Sequence, residues 1–225
     1  MKYCDNDPAL LYLDNHLLGW NKPSGISTQP FLTEHVKTYL QKRLHKSGNI
    51  FLHPLHRLDR VAAGIVLFAR SQKALVRCNA SLREREWKKE YLLLIEGKMQ
   101  KKKGRLEHFL VHGEKRAYIH PKGKQSLLSY TVLEEGLSHT IPCSLVHVEL
   151  HTGRYHQIRV QFGLGEKKPL VGDVLYGSSI RKEKEQIALC HAKLSLIHPV
   201  TKQLLVIEIP RPTFQQFGWH SKLIL

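Results

Sequence analysis

The chain has 225 residues, 42% of them hydrophobic, with 35 Lys and Arg against 19 Asp and Glu, a formal net charge of +16. That length and apolar content suit one compact domain spanning 1–225 with a sizeable core, and exclude a disordered chain. The charge, with fifteen histidines that add to it beside an anion, points first to nucleic acid as partner and second to an acidic membrane surface.

In chain order, Leu10 to Trp20 alternates apolar runs with turn residues and meets Asn21-Lys22-Pro23-Ser24-Gly25, where Pro and Gly force a turn. Thr33 is placed to cap a short amphipathic helix reaching Lys46, with Val36, Tyr39, Leu40 and Leu44 on one face. Ile65 to Ala69 reads as a buried strand, and Ser71 as the cap of a helix with Leu75, Cys78 and Leu82 inward. Glu90 to Glu96 returns as a strand ended by Gly97, and Lys98 to Lys103 is a solvated turn or a phosphate-contacting loop. Tyr130 to Leu133 and Ser144 to Leu150 are further strands. In the second, Val146, Val148 and Leu150 alternate with His147, Glu149 and His151. Ala192 to Leu196 and Leu204 to Ile209 flank the turn at His198-Pro199 as a hairpin, stopped by Pro210 and Pro212. Many strands and few helices without regular alternation predict an α+β fold.

No apolar stretch reaches the ~18–20 residues of a membrane span, and no signal peptide is read at the start, so a cytoplasmic protein is expected. Cys4, Cys78, Cys143 and Cys190 form no C-x-x-C pair and read as reduced thiols. Phosphate-cradling and dinucleotide glycine motifs are missing, as is H-E-x-x-H. His53 with His56, and His147 with His151, lack the companions of a metal site, so no metal and no cofactor is expected.

Two segments concentrate chemistry. His53-Pro54-Leu55-His56-Arg57-Leu58-Asp59-Arg60 sets one carboxylate between two arginines, an arrangement that keeps it ionised and usable as a nucleophile or base, or that serves as a structural ion-pair network. His151-Thr152-Gly153-Arg154-Tyr155-His156-Gln157-Ile158-Arg159 gathers phosphate- and base-contacting residue types around a turn glycine. The residues after it fit a helix ending near Gly163 or a strand through Ile158, Val160 and Phe162.

The order of the pieces resembles the RluA-type family of RNA pseudouridine synthases. Asn21-Lys22-Pro23-Ser24-Gly25 is similar to N-K-P-x-G, His56-Arg57-Leu58-Asp59 to H-R-L-D, and Lys89-Glu90-Tyr91 to K-x-Y. Thr152 to Arg159 is similar to T-G-R-x-H-Q-I-R, Pro169 to Gly177 to P-I-x-G-D-x-x-Y-G, and Leu189 to Ala192 with His198-Pro199 to the L-H-A and H-P block. The resemblance implies the pseudouridine synthase α+β core, a mixed and mostly antiparallel sheet with a central RNA-binding cleft. It implies a uridine of ribosomal or transfer RNA flipped into a pocket and isomerised without cofactor or metal. Asp59 would be the nucleophile, Arg159 would pair with it, and Tyr91 would stack on the flipped base. His56, Arg57, Arg60, Arg154, His156 and Gln157 would contact RNA. The family's core motifs begin near residue 20, so no separate N-terminal RNA-binding domain is expected, and the chain is expected to act as a monomer without an obligatory protein partner. Two departures stand out: Ala62-Ala63 where the family often has Thr-Ser, and Gln161 where it usually has His. On these, a catalytically silent RNA-binding protein on the same scaffold is the alternative; a metal-dependent nuclease lacks clustered acidic ligands.

Overall fold

A computed structural model describes residues 7–138, 140–181, 186–210 and 214–215. Cys4 and Pro212 lie outside them. The chain divides into two compact units, Met1–Trp87 with Lys193–Ile209, and Lys88–Ala192 with Pro210–Leu225.

In the first unit, β1 (Leu10–Leu13) pairs antiparallel with β2 (Leu17–Lys22), and β2 with β4 (Ala63–Ala69), to which the short β3 (His53–Pro54) adds. Residues on both faces of β2 and β4 are buried, which is why their sequences read as unbroken apolar runs. On one face α1 (Thr33–Arg43) lays Val36 and Leu40 against Leu18, Trp20, Val66 and Phe68, with Tyr39 edge-on to Trp20. Thr33 is not the cap. The backbone is already helical at Leu32, because the helix continues from a wide turn at Thr28–Leu32, and Thr33 Oγ1 donates to the Thr28 carbonyl (2.9 Å). The helix also ends at Arg43, short of Lys46. Ser71 does cap α2 (Gln72–Arg83), accepting from Ala74 N–H, and Ala74 and Cys78 are the helix's buried residues.

In the second unit the antiparallel order is β5 (Lys88–Glu96), β9 (Ile141–Leu150), β8 (Lys124–Ser138), β6 (Lys103–His112) and β7 (Ala117–Ile119). The alternation expected in β9 is present, with Val146, Val148 and Leu150 buried and His147 and Glu149 half-buried. The expected strand at Tyr130 is the middle of the much longer β8, bulged between Val132 and Glu134. β6 was not legible because only every fourth residue, Leu106 and Leu110, is buried, a spacing that imitates a helix. After β9 the chain turns into α3 (Gln157–Val160), which continues as a wider turn through Gly165, so the helical alternative holds for this segment.

The strand β10 (Leu189–Ile197) starts in the second unit and finishes in the first, where it forms the expected hairpin with β11 (Leu204–Glu208). The sheet is mostly antiparallel with few helices, an α+β fold. Burial pushes the Cys78 thiol up to about 11 and Cys190 to about 12, so both are inert packing residues. No described helix is long and apolar enough to cross a membrane.

Candidate active site

In the first unit the His56–Asp59 loop rests on the turn that follows β2. Lys22 is fully buried, and its ammonium donates to the carbonyls of Pro23 (2.9 Å), Ile26 (2.9 Å) and Arg60 (3.3 Å). Ser24 Oγ donates to Val61 O (2.5 Å) and Gly25 N–H to Arg60 O (2.8 Å). Thr28 Oγ1 brackets Leu58, accepting from its N–H (3.2 Å) and donating to its carbonyl (3.3 Å). An ammonium has three donors and no acceptor, so three carbonyls satisfy it. Burial pushes the Lys22 pKa down to about 8, opposed by the attraction of Asp59 and assisted by the repulsion of Arg60. Lysine, Ser24, Gly25 and Thr28 thus hold the backbone from Leu58 to Val61, which leaves the side chain of Asp59 half-buried and those of Arg57 and Arg60 exposed.

His56, expected at RNA, contacts β4 and the residue before β5. Its Nε2 accepts from Leu67 N–H (3.2 Å), and its ring meets Trp87 edge-on. The Ala62 departure also has a local account: Ala62 N–H donates to Asp59 O (3.1 Å), so the turn closes on backbone alone without a hydroxyl.

In the second unit the Thr152–Arg159 segment is built from side-chain partners. Gln157 is 2% exposed; its Oε1 accepts from Thr152 Oγ1 (2.8 Å) and Arg154 N–H (3.1 Å), while Nε2 donates to Leu127 O (3.2 Å). Its amide therefore fixes the loop. Arg154 Nε donates to Gln125 O (3.4 Å). Arg159 is buried, and Asp173 takes its Nε and Nη2 in a two-pronged pair of 2.7 and 2.9 Å. Asp59 belongs to the first unit and Arg159 to the second. Tyr91 is buried and stacked on His191, ring centroids 4.6 Å apart. Beside it in β5, burial holds the Lys89 ammonium below the usual lysine range. Gln161 is also buried, donating to Leu106 O (2.9 Å) and Ser126 O (3.2 Å) as a brace for β6 and β8.

Lys22, Asp173 and His191 lie within the quoted motifs but were given no role from sequence. Asp173 had a signal, being the lone acidic residue between Glu166 and Glu183. Lys22 sits directly before a proline at the end of an apolar strand, where a solvated lysine and a buried one read alike. Among the described residues no group of three or more His, Cys, Asp or Glu could hold a metal ion. His147 instead lies 2.9 Å from Glu90, and His151 2.8 Å from Ser129 Oγ.

Comparison with known proteins identifies the class as RNA-modifying isomerases. The family described as RNA pseudouridylate synthase matches residues 16–163. The chain is 31% identical to the dual-specificity RNA pseudouridine synthase RluA of Haemophilus ducreyi, covering 91% of this chain and 93% of that protein. It is 32% identical to the ribosomal large subunit pseudouridine synthase D of Yersinia pestis, covering 85% and 63%. The solved structure of human RNA Pseudouridylate Synthase Domain Containing 1 shares the fold, with TM-score 0.76 at 23% identity over 93% of this chain and 85% of that one. The chain belongs to the RluA-type family of RNA pseudouridine synthases and is an isomerase of that kind.

Proposed function

We propose that the protein converts a specific uridine in ribosomal or transfer RNA to pseudouridine, with the target nucleotide flipped out of the RNA and Asp59 as nucleophile. In this reaction the bond between the ribose and uracil N1 breaks, the ring turns, and a bond from the same sugar carbon to C5 forms. N1 gains a proton and C5 loses one, so the overall change is an isomerisation needing no oxidant or energy source. Asp59 acts at the sugar or the base, Arg159 supplies positive charge at the reacting carboxylate, and the Tyr91 ring stacks on the flipped uracil. Arg57, Arg60 and Arg154 place the backbone, with His56, His156 and Gln157 shaping the loops that carry them. We place the protein in the cytoplasm, acting alone as a monomer on RNA.

The observation that carries this reading is the Asp59 loop itself. Its backbone is gripped from Leu58 to Val61 by Lys22, Ser24, Gly25 and Thr28, which leaves an aspartate flanked by two exposed arginines at its tip. Names among the relatives speak for the ribosomal target, that of the Yersinia pestis protein among them. The experiment is pseudouridine mapping on unmodified ribosomal and transfer RNA transcripts incubated with wild type and with Asp59→Asn. New pseudouridine at a defined position with wild type and none with the variant is expected. Equal modification by both removes Asp59 from the role.

A further inference from the structure

Arg159 is held from three sides. Asp173, 1% exposed, takes Nε and Nη2 (2.7 and 2.9 Å), and Nη1 points at His156 Nε2 (2.8 Å). The Tyr176 ring lies along the third side, 5.1 Å from the guanidinium carbon to its centroid. A guanidinium can only donate, so His156 Nε2 must be the unprotonated, accepting nitrogen. The ring's proton then sits on Nδ1, which faces Tyr176 Oη at 2.9 Å. That oxygen also receives Ala117 N–H (2.8 Å) and turns its own proton toward Ala117 O (3.4 Å). Each proton along the line from Asp173 to β7 has one consistent place.

The scaffold keeps these groups still. His156 adopts a left-handed backbone (φ +53°), which aims its ring back over α3. Tyr176 packs in a small core with Leu110, Ala117 and Val160, and a Cβ on Gly163 would meet the Tyr176 Cβ at 2.7 Å, so only glycine lets α3 approach this closely. Gly172, one residue before Asp173, has φ +89° and would set a Cβ 2.3 Å from Gln186 O, which fixes the turn that delivers the carboxylate.

We infer that Asp173 and His156 are positioning residues that set the plane and direction of the Arg159 guanidinium, and that the arrangement works only while His156 is neutral. The inference rests on the reading of Arg159 as an active-site residue. Protonation of Nε2 would place one N–H against another and a second positive charge beside Arg159. The groups packed around His156 are Arg159 on α3, with Asp173 behind it, and Tyr176. Tyr155 is stacked at 3.8 Å, and beyond it are His112 of β6 and the Lys115 carbonyl in the turn before β7. Arg159 is cationic and favours the neutral ring.

The test is single-turnover kinetics with saturating RNA transcript from pH 5.5 to 8.5, alongside RNA affinity, for wild type, Asp173→Asn, His156→Gln and Asp59→Asn. Asp173→Asn should lower the chemical rate on the order of 10²-fold while affinity stays within a few fold, because a misdirected group forfeits orientation rather than binding. Wild type should lose about tenfold in rate at the acid end of this range relative to pH 7.5, as charging of His156 breaks its contact with Arg159. His156→Gln, slower at pH 8, should lose that acid limb, since an amide does not titrate. A His156→Gln profile that keeps the wild-type acid limb overturns the inference, as do full rates for both clamp variants. Should Asp173→Asn melt below assay temperature, the pH profile of His156→Gln decides. Turnover by Asp59→Asn overturns the active-site reading, whereas an inactive Asp59→Asn beside undisturbed clamp variants overturns the clamp alone.

Discussion

The His56–Asp59 loop and the Thr152–Arg159 segment carry the two groups of opposite charge, yet they are anchored in different ways. The first is held by its backbone. Lys22, Ser24, Gly25 and Thr28 grip carbonyls and an N–H from Leu58 to Val61, and the charged tips of Arg57 and Arg60 stay exposed. The second is held by its side chains, with Gln157 and Arg159 buried in partners of their own. A loop gripped by its backbone tolerates change at its tips and fails when the holder is lost. A segment gripped by side chains fails at any member.

The largest break in this comparison is Arg159→Met, expected to lower single-turnover rate on the order of 10²–10³-fold. It also leaves Asp173 buried without its cation, at about 3–5 kcal/mol of stability in urea unfolding. Arg159→Lys keeps the charge without the fork and should fall between that variant and wild type. Arg154→Lys should weaken RNA affinity modestly and spare the chemical step, because lysine keeps the charge that a phosphate needs but loses the fork.

Next comes Lys22→Met, which strips the donor from three carbonyls and should cost about 2–4 kcal/mol. Its pH signature separates it from simple cavity effects. The folded pKa is about 8 against an ordinary 10.5, so between those values the unfolded chain binds more protons and wild-type stability rises with pH. Unfolding curves across that window should show the stability of wild type relative to Lys22→Met rising with pH, the raised Cys78 and Cys190 thiols acting equally in both.

A smaller effect is expected from Tyr176→Phe, which removes the acceptor of Ala117 N–H and the partner of His156 Nδ1, at about 1–2 kcal/mol. The smallest concerns Lys101, Lys102 and Lys103. Glu135 takes Lys102 at 2.5 Å and Lys98 at 3.0 Å, exposed pairs of little stabilising effect. With Lys102 engaged, replacing the three by Ala should lower the slope of log affinity against log salt by about 1.4–1.8, the share of Lys101 and Lys103, rather than about 2–3. An unchanged slope would leave that turn as a solvated one.

Much of the first unit was legible because its strands are buried on both faces and its helices carry a single apolar stripe. Ile65 to Ala69 and the Ser71 cap both follow from local chemistry. β6 hid because two leucines four apart carry its burial while Arg105, Glu107 and Phe109 face outward. Asp59 stood out as a carboxylate between two arginines, and Arg159 through the resemblance of Thr152–Arg159 to a family motif. Their holders did not, since Lys22 reaches Arg60 across 38 positions and Asp173 reaches Arg159 across 14. A side chain's partner at that separation is a property of the fold and leaves no periodic trace in the sequence.

The passage of β10 out of one unit and into the other also sets the order of assembly during synthesis. The first unit needs Lys193–Ile209 to be complete: Ile207 fills the space over Gly19, His198 Nε2 comes within 2.9 Å of Asp14 Oδ2, and Arg77 donates to Pro199 O. The nascent chain therefore emerges with its amino-terminal sheet unfinished and waits while residues 88–192 are translated, on the order of 5–20 s at ribosomal speed. During that wait the apolar strands Leu17–Lys22 and Ala63–Ala69 lack their final cover.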